Sequence, residues 1–330
     1  MAKRKYSKRS KNMEPAVLTM TFATPGTGAT RNYIDLSQVA SLCNRRFYRQ
    51  GINWAVAGFK VSSTRTGTVN IFKLPNTWVL SNAWMKSFKA WRKMIALATE
   101  NSGSQSIEGK FSDFKIFADA QHHQAGMAAN LRPLDSAGVA AAAGEWVPSK
   151  FQLPNATSNL STPQDIVAVG ANFPGISPAT GANAVSMIQG YADSRALPYQ
   201  EDPNVPADAD TNWMVRLFSD GSEQDQEVVA ELEVAGDQAP YPYEGDGTNP
   251  DTMYPGGETN MPNLEWHDLV TIYESNVSNG ISIQRLKGGN FPCGLICIDW
   301  QPNESANLVI QIDLIPGAHR GYLCEKMGDM

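Results

Sequence analysis

The sequence predicts a mainly β protein, an antiparallel sandwich or a jelly roll. Three observations predict it. About nine or ten segments read as short strands and only two as helices, with no alternating βαβ rhythm. Twenty Pro and 27 Gly punctuate the chain, which suits strands joined by long loops better than a helical bundle. A chain of 330 residues with 42% hydrophobic and 18% charged residues can bury a large core, on the order of 75% of its unfolded surface.

In chain order, residues 1–15 read as a disordered basic arm, because they lack an apolar pattern and end at Pro15. Residues 16–23 alternate as a first strand, and 24–30 (TPGTGAT) form a turn. Within 33–51, Leu36, Val39, Ala40 and Cys43 fall at helical spacing, with Asp35 or Ser37 as cap and Gly51 as stop. Residues 52–61 alternate as a strand, and 67–74 form another, ended by Pro75.

The clearest helix covers 82–99. Ser81 suits its cap, and Leu80 can staple against Met85. Trp84, Phe88, Trp91 and Ile95 share one face, with Lys86, Lys89 and Lys93 opposite. Residues 114–120 suit a strand, and 122–210 read as mostly loop. Strands follow at 213–219, 227–234, 266–275, 280–286, 294–300 and 307–315. Between them, 236–263 holds five prolines and five acids, too long a stretch for a passive connection.

Charge is distributed very unevenly. Residues 1–100 carry 17 Lys/Arg against three Asp/Glu, and residues 201–330 carry five against 23. The first twelve residues hold Lys3, Arg4, Lys5, Lys8, Arg9 and Lys11 and no acid. Such a molecule has one electrostatic side suited to a polyanion and another that repels its own kind. Six charges on a flexible arm neutralise phosphates without reading bases, and Tyr6 can stack on an exposed base. If all six contact a single strand, log affinity falls against log salt with a slope of about −4 per arm. The cluster KRKYSKRSK also fits a nuclear-import signal.

Other chemistry is sparse. Cys43, Cys293, Cys297 and Cys324 are too few and dispersed for a disulfide framework, and read as small apolar residues in a reducing compartment. No apolar run of signal-peptide or membrane-spanning length occurs, so no membrane insertion is expected. The four N-x-S/T sequons are therefore expected to be chance matches. His122 and His123 sit in a polar stretch and, on a strand, point apart, so they make a poor metal pair. No H-E-x-x-H, G-x-S-x-G or Walker motif is present. Asp220, Glu223, Asp225 and Glu227 could bind structural Ca2+ but lack EF-hand spacing, so a solvated acidic surface and no cofactor are expected. No pair of carboxylates stands out for hydrolysis, so no enzymatic activity is expected.

The segment YIDLSQVASLCNRRFYRQGINWAVAGFKV (33–61) resembles the N-terminal part of capsid proteins of small circular, Rep-encoding single-stranded DNA viruses. The overlap lies in I-D-L-S, then N-R-R-x-Y-R-Q-G, then an alternating strand, and LVIQIDLIPGAHRGY is compatible with the closing strands. The resemblance covers a tenth to a fifth of the chain, on the order of 30–60 residues of one domain. It implies a single viral jelly roll, an eight-stranded antiparallel sandwich over 16–330 with short helices and long surface loops at 122–210 and 236–263. It implies self-assembly into an icosahedral shell in the virion, built in the host nucleus around single-stranded DNA. The arm, Arg45, Arg46, Arg49 and the Lys86/Lys89/Lys93 face would line the inside; the host receptor stays unidentified. One departure is the acidic balance, with pI near 5.3, since such proteins are commonly basic. The alternative is a nuclear β-sandwich module that binds nucleic acid or carbohydrate without forming shells, where Tyr241, Tyr243 and Tyr254 would contact the ligand, although loop packing or subunit contact is the favoured role for them.

Overall fold

The computed structural model describes residues 14–26, 28–44, 46–101, 113–154, 161–172, 184–195, 263–274 and 282–330. Its elements in chain order are β1 (Thr19–Ala23), β2 (Thr30–Asp35), α1 (Leu36–Cys43), β3 (Ile52–Ser63), β4 (Gly67–Lys73) and α2 (Trp78–Asn101). Then come α3 (Ala120–Ala125), β5 (Lys150–Pro154), β6 (Ser161–Val167), β7 (Ala184–Ser186) and α4 (Met187–Arg195). The last are β8 (Glu265–Ile272), β9 (Ser282–Phe291), β10 (Leu295–Pro302), β11 (Leu308–Leu314), β12 (Pro316–Gly317), β13 (Gly321–Tyr322) and β14 (Cys324–Lys326).

The protein is mainly β, with antiparallel sheets compatible with a β-sandwich. One sheet runs β1-β11-β3, with β9 on β3 and β14 on the first residues of β3. The other runs β2-β10-β4-β8. Every pair in both is antiparallel. A smaller sheet, β5-β6-β7, mixes one antiparallel and one parallel pair.

Alternation explains how the two main sheets meet, because successive strand residues face opposite sides. Met20 and Phe22 of β1, Phe59 and Val61 of β3, and Ile310 and Ile312 of β11 point inward from the first sheet. Ile34 of β2, Val69 and Ile71 of β4, and Ile296, Ile298 and Trp300 of β10 meet them from the second. Each such fully buried side chain contributes about 1.5–3 kcal/mol by leaving water.

The second sheet is covered on its other face too. Tyr33, Leu295 and Cys297 pack there with Leu80, Ala83 and Trp84 of α2, Phe114, Phe151 of β5 and Ile166 of β6. This is why β10 reads LICIDW with no polar alternation until Asp299: Leu295 through Trp300 are all buried.

Local chemistry sets the helices. Asp35 ends β2 and caps α1, its Oδ1 accepting from the Ser37 and Gln38 amides at 2.9 and 3.3 Å. Its other oxygen accepts from Gln50 Nε2 at 2.8 Å and Trp146 Nε1 at 2.9 Å. The expected cap at Asp35 is thus the one used. The expected cap at Ser81 is not. Helix α2 begins at Trp78, and Thr77 Oγ1 accepts from the Leu80 amide. The Ser81 hydroxyl instead donates to the Met327 carbonyl, tying α2 to the C-terminal turn. Trp84, Phe88 and Trp91 form the expected stripe around Phe114, with Trp84 and Phe88 stacked at 4.9 Å. Ile95, 42% exposed, lies beyond the packed part.

Three further expectations need correction. Strand β2 occupies 30–35, taking in the end of the expected turn and the first residues of the segment expected to lead into a helix; its apolar residues Tyr33 and Ile34 come only near its end. Residues 114–120 are no regular strand: Phe117 makes one bridge to Val167 before Asp119 caps α3 and turns the chain. The stretch 122–210, read as loop, carries α3, β5, β6, β7 and α4 in its described parts. Those short elements bury Phe151, Ile166, Val167, Val185 and Met187, too few residues each for a periodicity to register. The strands expected at 213–219 and 227–234 and the 236–263 excursion lie outside the described residues, apart from Asn263.

Candidate nucleic-acid interface

The expected interface begins with the arm. Lys3, Arg4, Lys5, Lys8, Arg9, Lys11 and Arg45 lie outside the described residues. The place where the arm meets the fold is described in detail. The Val17 amide donates to Asn44 Oδ1 at 3.1 Å, and the Tyr322 hydroxyl donates to the Val17 carbonyl at 2.6 Å. Asn44 Nδ2 donates to the same Tyr322 oxygen at 2.8 Å. Tyr322, Tyr48 and Trp54 form an aromatic triangle with centroids 5.2–5.8 Å apart. The Tyr48 hydroxyl donates to the Arg320 carbonyl at 2.8 Å, so Asn44, Tyr48 and the β12–β13 hairpin hold the incoming chain together.

Cations gather at this root. Arg46, partly exposed, pairs with Glu14, the first described residue. The Arg320 guanidinium donates to the Phe47 carbonyl, with Arg320 at φ 51°, a backbone region uncommon outside glycine. Arg49 is exposed on the same loop, and its carbonyl accepts from Ser37 Oγ. His319 reports the local potential: burial, then Arg320 and Lys326, push its pKa below the ordinary value.

The structure also separates residues that the sequence grouped. Helix α2 packs on the second sheet, opposite to the side that the first sheet covers. Exposed Lys89 and Lys93 therefore do not share a surface with the outer face of the first sheet. Lys86 lies 6.0 Å from the Tyr191 ring of α4.

That outer face carries cations that the sequence reading passed over. Register puts Arg285, Lys60, Gln311 and Thr21 in one row across β9, β3, β11 and β1. Lys287, Gly58, Asp313 and Thr19 form the next row. Lys60 pairs with Asp313 at 3.0 Å, and Thr19 and Gln311 also donate to that carboxylate. Burial pushes Asp313 up, yet those donors hold it below the ordinary carboxylate range. Arg285 and Lys287 are exposed, and no salt bridge joins either to another described residue. Their signal in the sequence was the spacing Ile283, Arg285, Lys287 beside inward Leu286. Strand β1 brings the chain from the arm root straight onto this sheet.

Other chemistry is structural. His122 and His123 are on helix α3 and not on a strand, and both are buried. Among the described residues, no group of three His, Cys, Asp or Glu side chains is arranged to hold a metal ion. The acids 220, 223, 225 and 227 proposed for Ca2+ lie outside the described residues. No described helix is long and apolar enough to cross a membrane. No family model matches the chain, and no curated protein or solved structure matches it.

Proposed function

We propose that the chain is a coat protein that folds as a single jelly roll, assembles into an icosahedral shell and packages single-stranded DNA through its basic arm. One observation carries this reading. Leaving aside the short β14, the strands of the main sheets in chain order are β1, β2, β3, β4, β8, β9, β10 and β11. First pairs with last, second with seventh, third with sixth and fourth with fifth. That nested order supports the reading, because it is the order expected of one long antiparallel hairpin wrapped around a core, as in a jelly roll. Resemblance at 33–61 points the same way.

The arm supplies sequence-independent affinity for phosphate, and Lys60, Arg285 and Lys287 extend the basic surface along the sheet that β1 joins. Exposed Trp266, Leu269 and Tyr273 on and beside edge strand β8 give apolar surface for contact between copies. The protein has no enzymatic role in this reading, needs no cofactor, and acts in the virion after assembly in the host nucleus.

Negative-stain microscopy of the purified protein, with absorbance at 260 and 280 nm on the same size-exclusion fraction, tests this. Uniform closed particles that carry nucleic acid are expected. A monomer or small oligomer across several salt and pH conditions overturns the shell and leaves a nucleic-acid-binding sandwich module.

A further inference from the structure

A buried polar chain links α3 to the second sheet and to α1, and its geometry leaves no room for an extra proton. His122 is fully buried. Its ring stacks on Tyr33 at 4.4 Å with 7° between planes, and meets the Phe117 edge at 5.2 Å. The Ala118 amide donates to His122 Nδ1 at 3.0 Å. An amide only donates, so Nδ1 carries no proton and the Nε2–H donates to Asn130 Oδ1 at 2.8 Å. Asn130 Nδ2 then donates to Gln38 Oε1 at 3.1 Å, and Gln38 Nε2 to the Ala143 carbonyl at 3.2 Å. Direction runs one way along all three side chains.

We propose that His122 is an acid-release latch: a proton on Nδ1 sets two donors against each other and frees α3 and its flanks, residues 117–131, from β2 and α1. The cationic ring has no carboxylate hydrogen-bonded to it. It is relieved only by leaving the stack on Tyr33, which also breaks the chain through Asn130 and Gln38. A cation buried without a partner is costly.

The charged and titratable neighbours on every side fit this assignment. Asp119 caps α3, accepting from the His122 amide and from the Tyr33 hydroxyl, both through Oδ1. On β2, Tyr33 is held neutral by burial, and Arg31 donates to Gln121 Oε1 at 2.7 Å. Behind Tyr33, burial pushes the Cys297 thiol on β10 up to about 12, so it stays neutral; Asp299 lies near it on the same strand. His123, next on α3, behaves differently. Its Nε2 lies 3.0 Å from Asp165 Oδ2 on β6, and Lys150 on β5 lies 3.5 Å from the other oxygen. His123 thus faces a carboxylate, whereas the ring nitrogens of His122 face a backbone amide and a side-chain amide.

Burial lowers the His122 pKa from 6.5 to about 4, outweighing Asn130 and Asp119. The released segment therefore binds more protons than the docked one between those values, and docking weakens as pH falls through that window. Opening is expected to rise about tenfold for each pH unit lost there. The device is independent of shell formation.

The test is native-state hydrogen exchange of the whole chain from pH 7.5 to pH 4, corrected for intrinsic rates. Residues 117–131 are expected to lose protection with that slope while β3 and β11 keep theirs. His122→Gln, whose amide can accept from Ala118 and donate to Asn130, is expected to remove the slope. Should that variant fail to fold, 15N spectra of the histidine rings in the unaltered chain decide. Nδ1 of His122 is expected to stay unprotonated until protection is lost. Uptake of a proton near pH 6.5 with unchanged protection overturns the latch. So does the same pH slope in His122→Gln, or simultaneous loss in β3 and β11.

Discussion

Asp35 does three jobs with two oxygens. It ends a strand, starts a helix and anchors Gln50 and Trp146 from two separate loops. All four neighbours are donors, so the ionised carboxylate is the form that they satisfy. Burial still pushes its pKa from 3.8 up to about 6 against those hydrogen bonds. A raised carboxyl contributes stability that is greatest below 3.8 and is lost as pH rises through 6, opposite in sign to His122. Asp35→Ala strands two backbone amides and two side-chain donors, and is expected to cost about 3 kcal/mol in urea unfolding at pH 7. Asp35→Asn removes the opposing titration. Its stability between pH 6 and pH 4 is expected to fall more steeply with acid than that of the unaltered protein, as urea midpoints will read.

At the scale of elements, legibility follows packing. Strands β3 and β11 alternate and were readable because one face meets the core and the other does not. Strand β10 was readable as a strand, but the burial of its second face comes from α2 and the small third sheet. Strand β2 was missed because its first residues, Thr30, Arg31 and Asn32, are polar and owe their conformation to β10. Arg285 and Lys287 gained meaning only when β9 was paired with β3 beside Lys60. The triple variant Lys60→Gln, Arg285→Gln, Lys287→Gln is expected to keep its thermal midpoint. Its single-stranded DNA affinity should lose about two units of salt slope, at roughly 0.7 per phosphate contact. Fluorescence anisotropy across a salt series measures this. An unchanged slope would remove that face from the interface.

For the molecule as a whole, the arm and the body have separable roles. The described fold is held from Ala16 onward: Ala16 and Leu18 pack on the core and Val17 is bonded to Asn44 and Tyr322. Deletion of residues 2–12 is therefore expected to leave circular dichroism and thermal unfolding unchanged. In the proposed reading it lowers the 260/280 ratio of purified particles, and unchanged nucleic-acid content would count against the arm as packaging element.

By itself, the sequence determined what depends on near neighbours. It determined the basic arm and acidic second half, the alternating strands, the helix at Asp35, the aromatic stripe of α2 and the missing catalytic motifs. Charge, periodicity and capping act within a few residues, so composition and spacing carry them. Tertiary structure alone decided which strand pairs with which, how far β2 extends, that Thr77 and not Ser81 caps α2, and that His122 is sealed beneath Tyr33. It also joined Lys60 to Arg285 and separated both from the α2 lysines. Each depends on contacts between residues far apart in the chain, such as Thr19 with Asp313. The gain that selects such a contact comes from burial and pairing across the whole core, which no local window contains.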